Sequence, residues 1–332
     1  MLPIRSIRLA AVLLALFLAA CASNRPAPAP PPDEIAAFVG EEREDAFVNQ
    51  DGLKIFGRFW LPVGEPRAVV VLIHGTAMHS GLYDEFGRYL AAKSYLVYGI
   101  DLQGWGRSDG IGPRGDVYNY DKYVSDIGIM IDQLRAEYPN RPVFGFGESL
   151  GGTVALLGQV QRRVFFDGLI LSAPGYKPNP KLLFMRPPAI LANWGLSTVA
   201  WWGSHFERWP LLPTNLGLRM IVHDKQVQKL MLADPYVTHT WLPAHYVTTL
   251  AEANRFLKQR IEMIHVPLFV LQGSKDELIP MSSAEEIAHH TLSRDTRLKV
   301  YKGAGHALML QPQRYEAMID IGKWLDDRTS PR

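Results

Sequence analysis

Short runs of uninterrupted apolar residues recur along the chain and alternate with segments of helical periodicity. The run AVVVLI at 68–73 is typical of a strand that is buried on both faces of a parallel sheet. Similar runs lie at 95–100, 143–146, 169–171 and 268–271. Helical segments separate them, at 84–93, 120–138, 150–160 and 284–292. This alternation predicts an α/β fold with a mostly parallel, doubly wound sheet.

The two ends of this region carry their own signals. Asp51-Gly52 is a dipeptide suited to a tight turn and separates strand-like stretches at 45–49 and 53–61, which predicts an opening antiparallel hairpin. A last strand ends at Val300, and residues 314–324 have the pattern of a terminal helix. We therefore expect the α/β core to comprise residues 44–174 and 266–328.

Residues 175–265 interrupt the alternation and show no clear strand. This stretch holds five of the eight tryptophans, and between Leu182 and Phe206 its only charged residue is Arg186. Its prolines argue against one long helix. We expect an inserted helical cap, or lid, whose aromatic residues mostly form its own small core. The others are candidates to line an apolar pocket or to enter a membrane interface.

The N-terminus has the pattern of a targeting segment. Arg5 and Arg8 precede an apolar run, and Leu18-Ala19-Ala20-Cys21 closes it, which resembles the lipobox of bacterial lipoproteins. The resemblance implies that residues 1–20 are a signal peptide and that Cys21 is lipidated, with the protein on the cell envelope, at the outer membrane. An ordinary signal peptide is the alternative, and the run is too short for a membrane span. Residues 21–43, rich in proline and alanine, read as an extended linker.

Composition excludes several other classes of protein. A hydrophobic content of 47% with 20% charged residues is that of a globular chain, not of a disordered, collagenous or coiled-coil one. The net charge of +2 gives no attraction for nucleic acid. The single cysteine excludes an internal disulfide framework, and we expect no metal site. The glycine pairs at 104–106 and 145–147 lack the third glycine of a dinucleotide-binding loop, so no cofactor is expected.

The sequence Gly147-Glu148-Ser149-Leu150-Gly151 has the pattern G-x-S-x-G between a predicted strand and a predicted helix. This context is typical of a nucleophile elbow, in which the serine lies on a strained turn and glycines allow close approach of neighbouring backbone. The motif indicates that Ser149 is a nucleophile. The start of the helix would direct the amide of Leu150 toward a developing oxyanion.

A nucleophilic serine needs a base, and the base needs an acid that orients it; in such folds both follow the serine along the chain. Asp276 follows the run at 268–271, and His306 follows the last strand in a glycine-rich loop. Glu277 is a rival for the acid. The second oxyanion amide is predicted at Thr76, in the loop after the run at 68–73.

Five ordered motifs together resemble the monoacylglycerol lipase and lysophospholipase-like branch of the α/β-hydrolases. They are HGTAMHSGLY at 74–83, DLQGWGRSDG at 101–110, GESLGG at 147–152, GSKDELIP at 273–280 and GAGH at 303–306. The resemblance implies the α/β-hydrolase fold, a triad of Ser149, Asp276 and His306, and oxyanion amides at Thr76 and Leu150. Ala77 and Met78 stand where family members commonly carry Gly-Glu, and Trp105 stands where many carry histidine.

The expected activity is cleavage of carboxylic esters of lipid-like substrates through an acyl-enzyme. Members of this fold also include peptidases and thioesterases, which remain alternatives. A lipoprotein that binds lipid without catalysis is a further alternative, although the chain carries each triad residue in order. The expected partners are a small acyl ester and, through Cys21, a membrane.

Overall fold

The computed structural model describes residues 31–112, 114–116, 119–177, 179 and 210–329. The predicted signal peptide, Cys21 and the tryptophans at 194, 201, 202 and 209 lie outside the described residues. The strands are β1 (Glu41–Val48), β2 (Lys54–Leu61), β3 (Ala68–Ile73), β4 (Tyr95–Ile100), β5 (Val143–Glu148), β6 (Gly168–Ser172), β7 (Pro210–Pro213), β8 (Trp241–Pro243), β9 (Leu268–Gly273) and β10 (Thr296–Tyr301).

The helices alternate with the strands of the main sheet. They are α1 (Asp33–Ala36), α2 (Asp84–Ala92), α3 (Tyr120–Glu137), α4 (Leu150–Val160), α5 (Thr214–Ile221), α6 (Lys225–Ala233), α7 (Ala244–Lys258), α8 (Met281–His290) and α9 (Arg314–Thr329), with 3₁₀ turns at Ser80–Tyr83, Ile261–Met263 and Leu308–Leu310. Among the described helices, none is long and apolar enough to cross a membrane.

The main sheet has eight strands in the order β1-β2-β4-β3-β5-β6-β9-β10. The opening hairpin and the β2–β4 pair are antiparallel, and every other pair is parallel. The predicted mostly parallel, doubly wound sheet is confirmed, including the antiparallel start. At the hairpin turn, the Asn49 side chain accepts hydrogen bonds from the amides of Asp51 and Leu53, and Gly52 takes a positive φ of 77°.

The centre of the sheet explains why the apolar runs are continuous. Every side chain of β3 is fully buried, and β4, β5, β6 and β9 are buried along their whole length. Edge strand β1 is mostly exposed and correspondingly polar. Parallel strands all end at the same edge of the sheet. The loops after β3, β5, β9 and β10 therefore lie together at that edge.

The segment between β6 and β9 differs from the prediction in one respect. It contains α5, α6 and α7, but β7 and β8 also pair as a small antiparallel sheet. The expectation that this stretch lacks strands is therefore wrong. Both strands are only three or four residues long and end in proline, so they leave no alternating pattern in the sequence.

Candidate active site

Ser149 lies on a sharp turn between β5 and α4, with φ 53° and ψ −112°. A side chain at Gly147 would place its Cβ 2.5 Å from the carbonyl oxygen of Gly151, and one at Gly151 would place it 2.0 Å from that of Ile73. Both contacts are too short for any residue but glycine. The spacing of the motif therefore follows from the close packing of β3, β5 and α4 around a strained serine.

Ser149, His306 and Asp276 form one chain of hydrogen bonds. Ser149 Oγ is 2.8 Å from His306 Nε2, and His306 Nδ1 is 2.8 Å from Asp276 Oδ2. With Nδ1–H donating to the carboxylate, Nε2 is left to accept the serine proton. The side chains of His306 and Asp276 are 4% and 1% exposed, so water is largely excluded from this chain.

The acid is itself held by its own loop. The amides of Leu278 and Ile279 donate to Asp276 Oδ1, each at 2.9 Å, and Gln272 Nε2 donates to Oδ2. These bonds fix the carboxylate against the imidazole. The rival Glu277 is exposed and takes no part in the chain.

The electrostatics of the pair suit a base that must become charged. Burial opposes ionisation of Asp276, but His306 and two backbone amides hold the pKa of its carboxyl below the usual range. Burial likewise disfavours the imidazolium of His306. The charge of Asp276, its hydrogen bond and the charge of Glu148 nevertheless raise the pKa of His306 above its usual value.

The loop after β3 lies against the serine. A Cβ at Gly75 would be 3.5 Å from Ser149 Cβ, which places Thr76 next to the nucleophile. Within the described chain, no hydrogen bond occupies the backbone N–H of Thr76 or that of Leu150. The Thr76 hydroxyl hydrogen-bonds to the hydroxyl of Tyr246, from α7. Both predicted amides therefore remain able to donate within the described chain.

His74 connects this loop to the chain after β4 through hydrogen bonds to the backbone. Its Nδ1 lies 2.7 Å from the carbonyl of Gly75, and its Nε2 accepts from the amide of Leu102 at 3.0 Å. Complete burial lowers the pKa of His74 to about 4, so the ring is neutral and acts as a backbone brace. No group of three or more potential metal ligands occurs in the described ranges.

Three side chains around the serine were not anticipated from the sequence. Glu148 is fully buried and accepts from Tyr83 Oη at 2.8 Å and from Ser172 Oγ at 2.9 Å. The only signal for Glu148 is its place inside G-x-S-x-G, and nothing in the residues alone tells whether that side chain faces inward. Tyr83 and Ser172 lie at the ends of other elements, and only the fold brings them together.

The segment between β6 and β9 contacts the loops of the core through polar side chains and one backbone hydrogen bond. His79, in the loop after β3, lies 3.0 Å from Asp234, and His245 of α7 lies 2.6 Å from Asp116. The amide of Thr238 donates to the carbonyl of Ala77, a non-glycine residue with φ 65°. The contacts of His79 and Ala77 attach the segment to the loop after β3.

The fold and the residues around Ser149 define an α/β-hydrolase that acts as a carboxylic ester hydrolase. The chain belongs to the Hydrolase_4 family, described as serine aminopeptidase S33, which matches residues 64–313. It is 30% identical to human monoglyceride lipase over 85% of this chain and 90% of the relative. It is 28% identical to a monoacylglycerol lipase of Mycolicibacterium smegmatis, over 85% and 96%.

The comparison with solved structures supports the same fold. A soluble variant of monoglyceride lipase from Saccharomyces cerevisiae superposes with a TM-score of 0.75 at 23% identity, covering 92% of this chain and all of that one. The family match and the shared fold together confirm the predicted membership in the α/β-hydrolases.

Proposed function

We propose that the protein hydrolyses carboxylic esters of lipid-like substrates, of the monoacylglycerol or lysophospholipid type, with Ser149 as nucleophile. The observation that carries this proposal is the hydrogen-bond chain from Ser149 Oγ through His306 to Asp276, 2.8 Å at each link. The names of the relatives from Homo sapiens and Mycolicibacterium smegmatis support a monoacylglycerol substrate.

The reaction follows from this geometry. His306 Nε2 takes the proton as Ser149 Oγ attacks the ester carbonyl, and Asp276 stabilises the imidazolium that forms. The amides of Thr76 and Leu150 donate to the oxyanion of the tetrahedral intermediate. His306 then protonates the leaving alcohol. Water repeats the sequence on the acyl-enzyme, which releases the fatty acid and frees Ser149.

We assign the role of cap to residues 175–265. The contacts of Tyr246, Thr238 and Asp234 with the loop after β3 support this assignment. An apolar cap next to the nucleophile would bind the acyl chain and exclude water from the acyl-enzyme.

The lipobox-like sequence ending at Cys21 leads us to propose a lipid-anchored protein of the bacterial cell envelope, at the outer membrane. A diacylated or triacylated cysteine holds a protein stably at a bilayer, because each buried CH₂ contributes about 0.8 kcal/mol. Mass spectrometry of the N-terminal peptide tests this directly. Cleavage before Cys21 with added acyl mass is expected, whereas an unmodified Cys21 would favour an ordinary signal peptide.

The activity is tested on the chain from Asp33 onward and its Ser149→Ala variant. The substrates are p-nitrophenyl esters from acetate to palmitate, monoacylglycerols, lysophospholipids, an acyl thioester and, because the family is described as a serine aminopeptidase, amino-acid p-nitroanilides. We expect turnover to be greatest on medium or long acyl esters and to fall by several orders of magnitude in the variant.

Other outcomes identify the alternatives. Fluorophosphonate labelling of Ser149 without ester turnover would indicate a peptidase or a thioesterase. Absence of both labelling and turnover would overturn catalysis and favour a lipid-binding protein.

A further inference from the structure

Glu148 is a fully buried carboxyl group next to the nucleophile, and the reaction proposed above gives it no role. Three donors surround it: Tyr83 Oη at 2.8 Å on Oε2, and Ser172 Oγ at 2.9 Å and the amide of Met309 at 3.4 Å on Oε1. Burial raises the pKa of Glu148, while these donors and the charge of His306 oppose that shift. An ionised carboxylate can only accept hydrogen bonds, so these three hydrogen-bond donors favour the ionised form of Glu148.

One of these bonds leads to the oxyanion loop. Tyr83, at the end of the 3₁₀ turn Ser80–Tyr83, donates to Glu148 and also accepts from the amide of Gly75 at 3.4 Å. Gly75 directly precedes Thr76, which supplies a proposed oxyanion amide. Tyr83 therefore links Glu148 to the residue before Thr76, and its hydroxyl also lies 3.4 Å from Met78 Sδ.

The bond from Met309 leads to the histidine loop. Met309 lies three residues after His306, in the 3₁₀ turn Leu308–Leu310, so its amide ties this loop to the elbow. The ionisable groups that act on Glu148 are Tyr83 and His306, and those that act on His306 are Asp276 and Glu148. The negative charge of Glu148 thus stabilises the imidazolium formed during the reaction.

We propose that Glu148 is a positioning residue for the proposed reaction. Its carboxylate fixes the oxyanion loop through Tyr83 and the histidine loop through Met309, and its charge supports the protonated form of His306. The inference rests on the proposed function, because it assigns Glu148 a role in that reaction and in no other.

The test compares Glu148→Gln with the wild type on the best p-nitrophenyl ester. Glutamine keeps the size of the side chain but removes the charge, and its amide NH₂ faces a donor. We expect kcat to fall about tenfold, the effect of losing one hydrogen bond to a charged group, with KM changed less than about twofold. The acidic limb of the kcat/KM profile should move to lower pH, because the pKa of His306 falls without the nearby charge.

Tyr83→Phe removes the hydrogen bond between Tyr83 and Glu148 but keeps the charge of Glu148. It should lower kcat by a similar factor and leave the acidic limb near its wild-type position, because Glu148 remains. In the double variant the two losses should not add, since both break the same connection. Asp126→Asn is the matched control: it removes another buried carboxyl, which packs against the opening hairpin and not against the triad, so it should leave kcat unchanged.

The outcomes distinguish this inference from the proposed function. An active wild type whose Glu148→Gln variant keeps both its kcat and its pH profile would overturn the inference alone. A lower kcat with an unmoved acidic limb, or fully additive losses, would also overturn it, because a merely structural role predicts that result. Titration with a fluorophosphonate normalises each rate to reactive Ser149. A wild type that neither turns over esters nor reacts with the probe would instead refute the proposed function.

Discussion

The parallel sheet and the segment between β6 and β9 contribute to the candidate site by different means. Ser149, Asp276 and His306 follow the carboxyl ends of β5, β9 and β10, so the backbone of the sheet sets the positions of these three residues. The inserted segment reaches the same region mainly through side chains, such as Tyr246 on Thr76, with one backbone hydrogen bond from Thr238 to Ala77. The sheet thus positions the proposed triad, and the inserted segment contacts the loop after β3, which carries the proposed oxyanion amide of Thr76.

The largest effect is expected inside the sheet, at Asp276. Asp276→Asn keeps the shape of the side chain, but the amides of Leu278 and Ile279 require its oxygen, so its NH₂ faces His306 Nδ1. An NH₂ cannot accept the Nδ1 proton, which favours the wrong tautomer of His306. We expect kcat to fall about 10⁴-fold, the scale seen when the acid of such a triad is neutralised. Steady-state kinetics on a p-nitrophenyl ester measures this loss.

The neighbouring residue provides the control for that experiment. Glu277→Gln changes an exposed carboxylate one position away, and its kcat should stay within about twofold of the wild type. The opposite ranking, with Glu277→Gln inactive and Asp276→Asn active, would show that the acid is Glu277 and that the observed hydrogen bond is not the catalytic one.

The next effect concerns the pH dependence of the same chain. Only the neutral imidazole of His306 can take the serine proton, so kcat/KM should fall about tenfold per pH unit below the pKa of His306. Since that pKa is raised above 6.5, the midpoint of the acidic limb should lie above pH 6.5. A midpoint below 6.5 would mean that burial outweighs the charges of Asp276 and Glu148.

A smaller effect is expected from the inserted segment. Tyr246→Phe removes the hydroxyl that holds Thr76, and we expect kcat to fall about fivefold, because one such hydrogen bond is worth about 1 kcal/mol. The control is Tyr236→Phe, at an exposed tyrosine of the same segment, which should leave kcat unchanged. If Tyr246→Phe matches the wild type in kcat, the inserted segment does not support the oxyanion loop through this bond.

Features of the fold that depend on adjacent residues can be predicted from the sequence. Strands such as β3 were predicted from 68–73 because a strand buried on both faces needs an unbroken apolar run. The elbow was predicted because backbone contacts near Ser149 exclude every side chain at Gly147 and Gly151. Both the strand and the elbow can therefore be predicted from a few adjacent residues.

The parts that were missed depend on contacts between distant residues. Tyr83 and Glu148 are 65 positions apart, and Thr76 and Tyr246 are 170 apart. No periodicity or motif links such pairs, because their meeting depends on the packing of several elements. The short strands β7 and β8 were missed for a related reason, since each is too brief to show a pattern and exists only by pairing with the other.

The smallest effect should appear in the core, far from the triad, at Asp126 of α3. This carboxyl is 3% exposed and accepts from Asn49 Nδ2 at 3.0 Å, and burial raises its pKa to about 6 from the usual 3.8. The pKa of Asp126 is higher in the folded protein than in the unfolded chain. Its protonated form therefore adds to the free energy of unfolding below pH 3.8, and this contribution is lost as the pH rises through 6. Asp126→Asn abolishes this titration, so its melting temperature relative to the wild type should increase between pH 4.5 and pH 7. Thermal unfolding at the two pH values measures the difference. A difference in melting temperature that does not depend on pH would show that Asp126 has the same pKa in the folded and unfolded states. A change in kcat would show that this part of the core affects the candidate site.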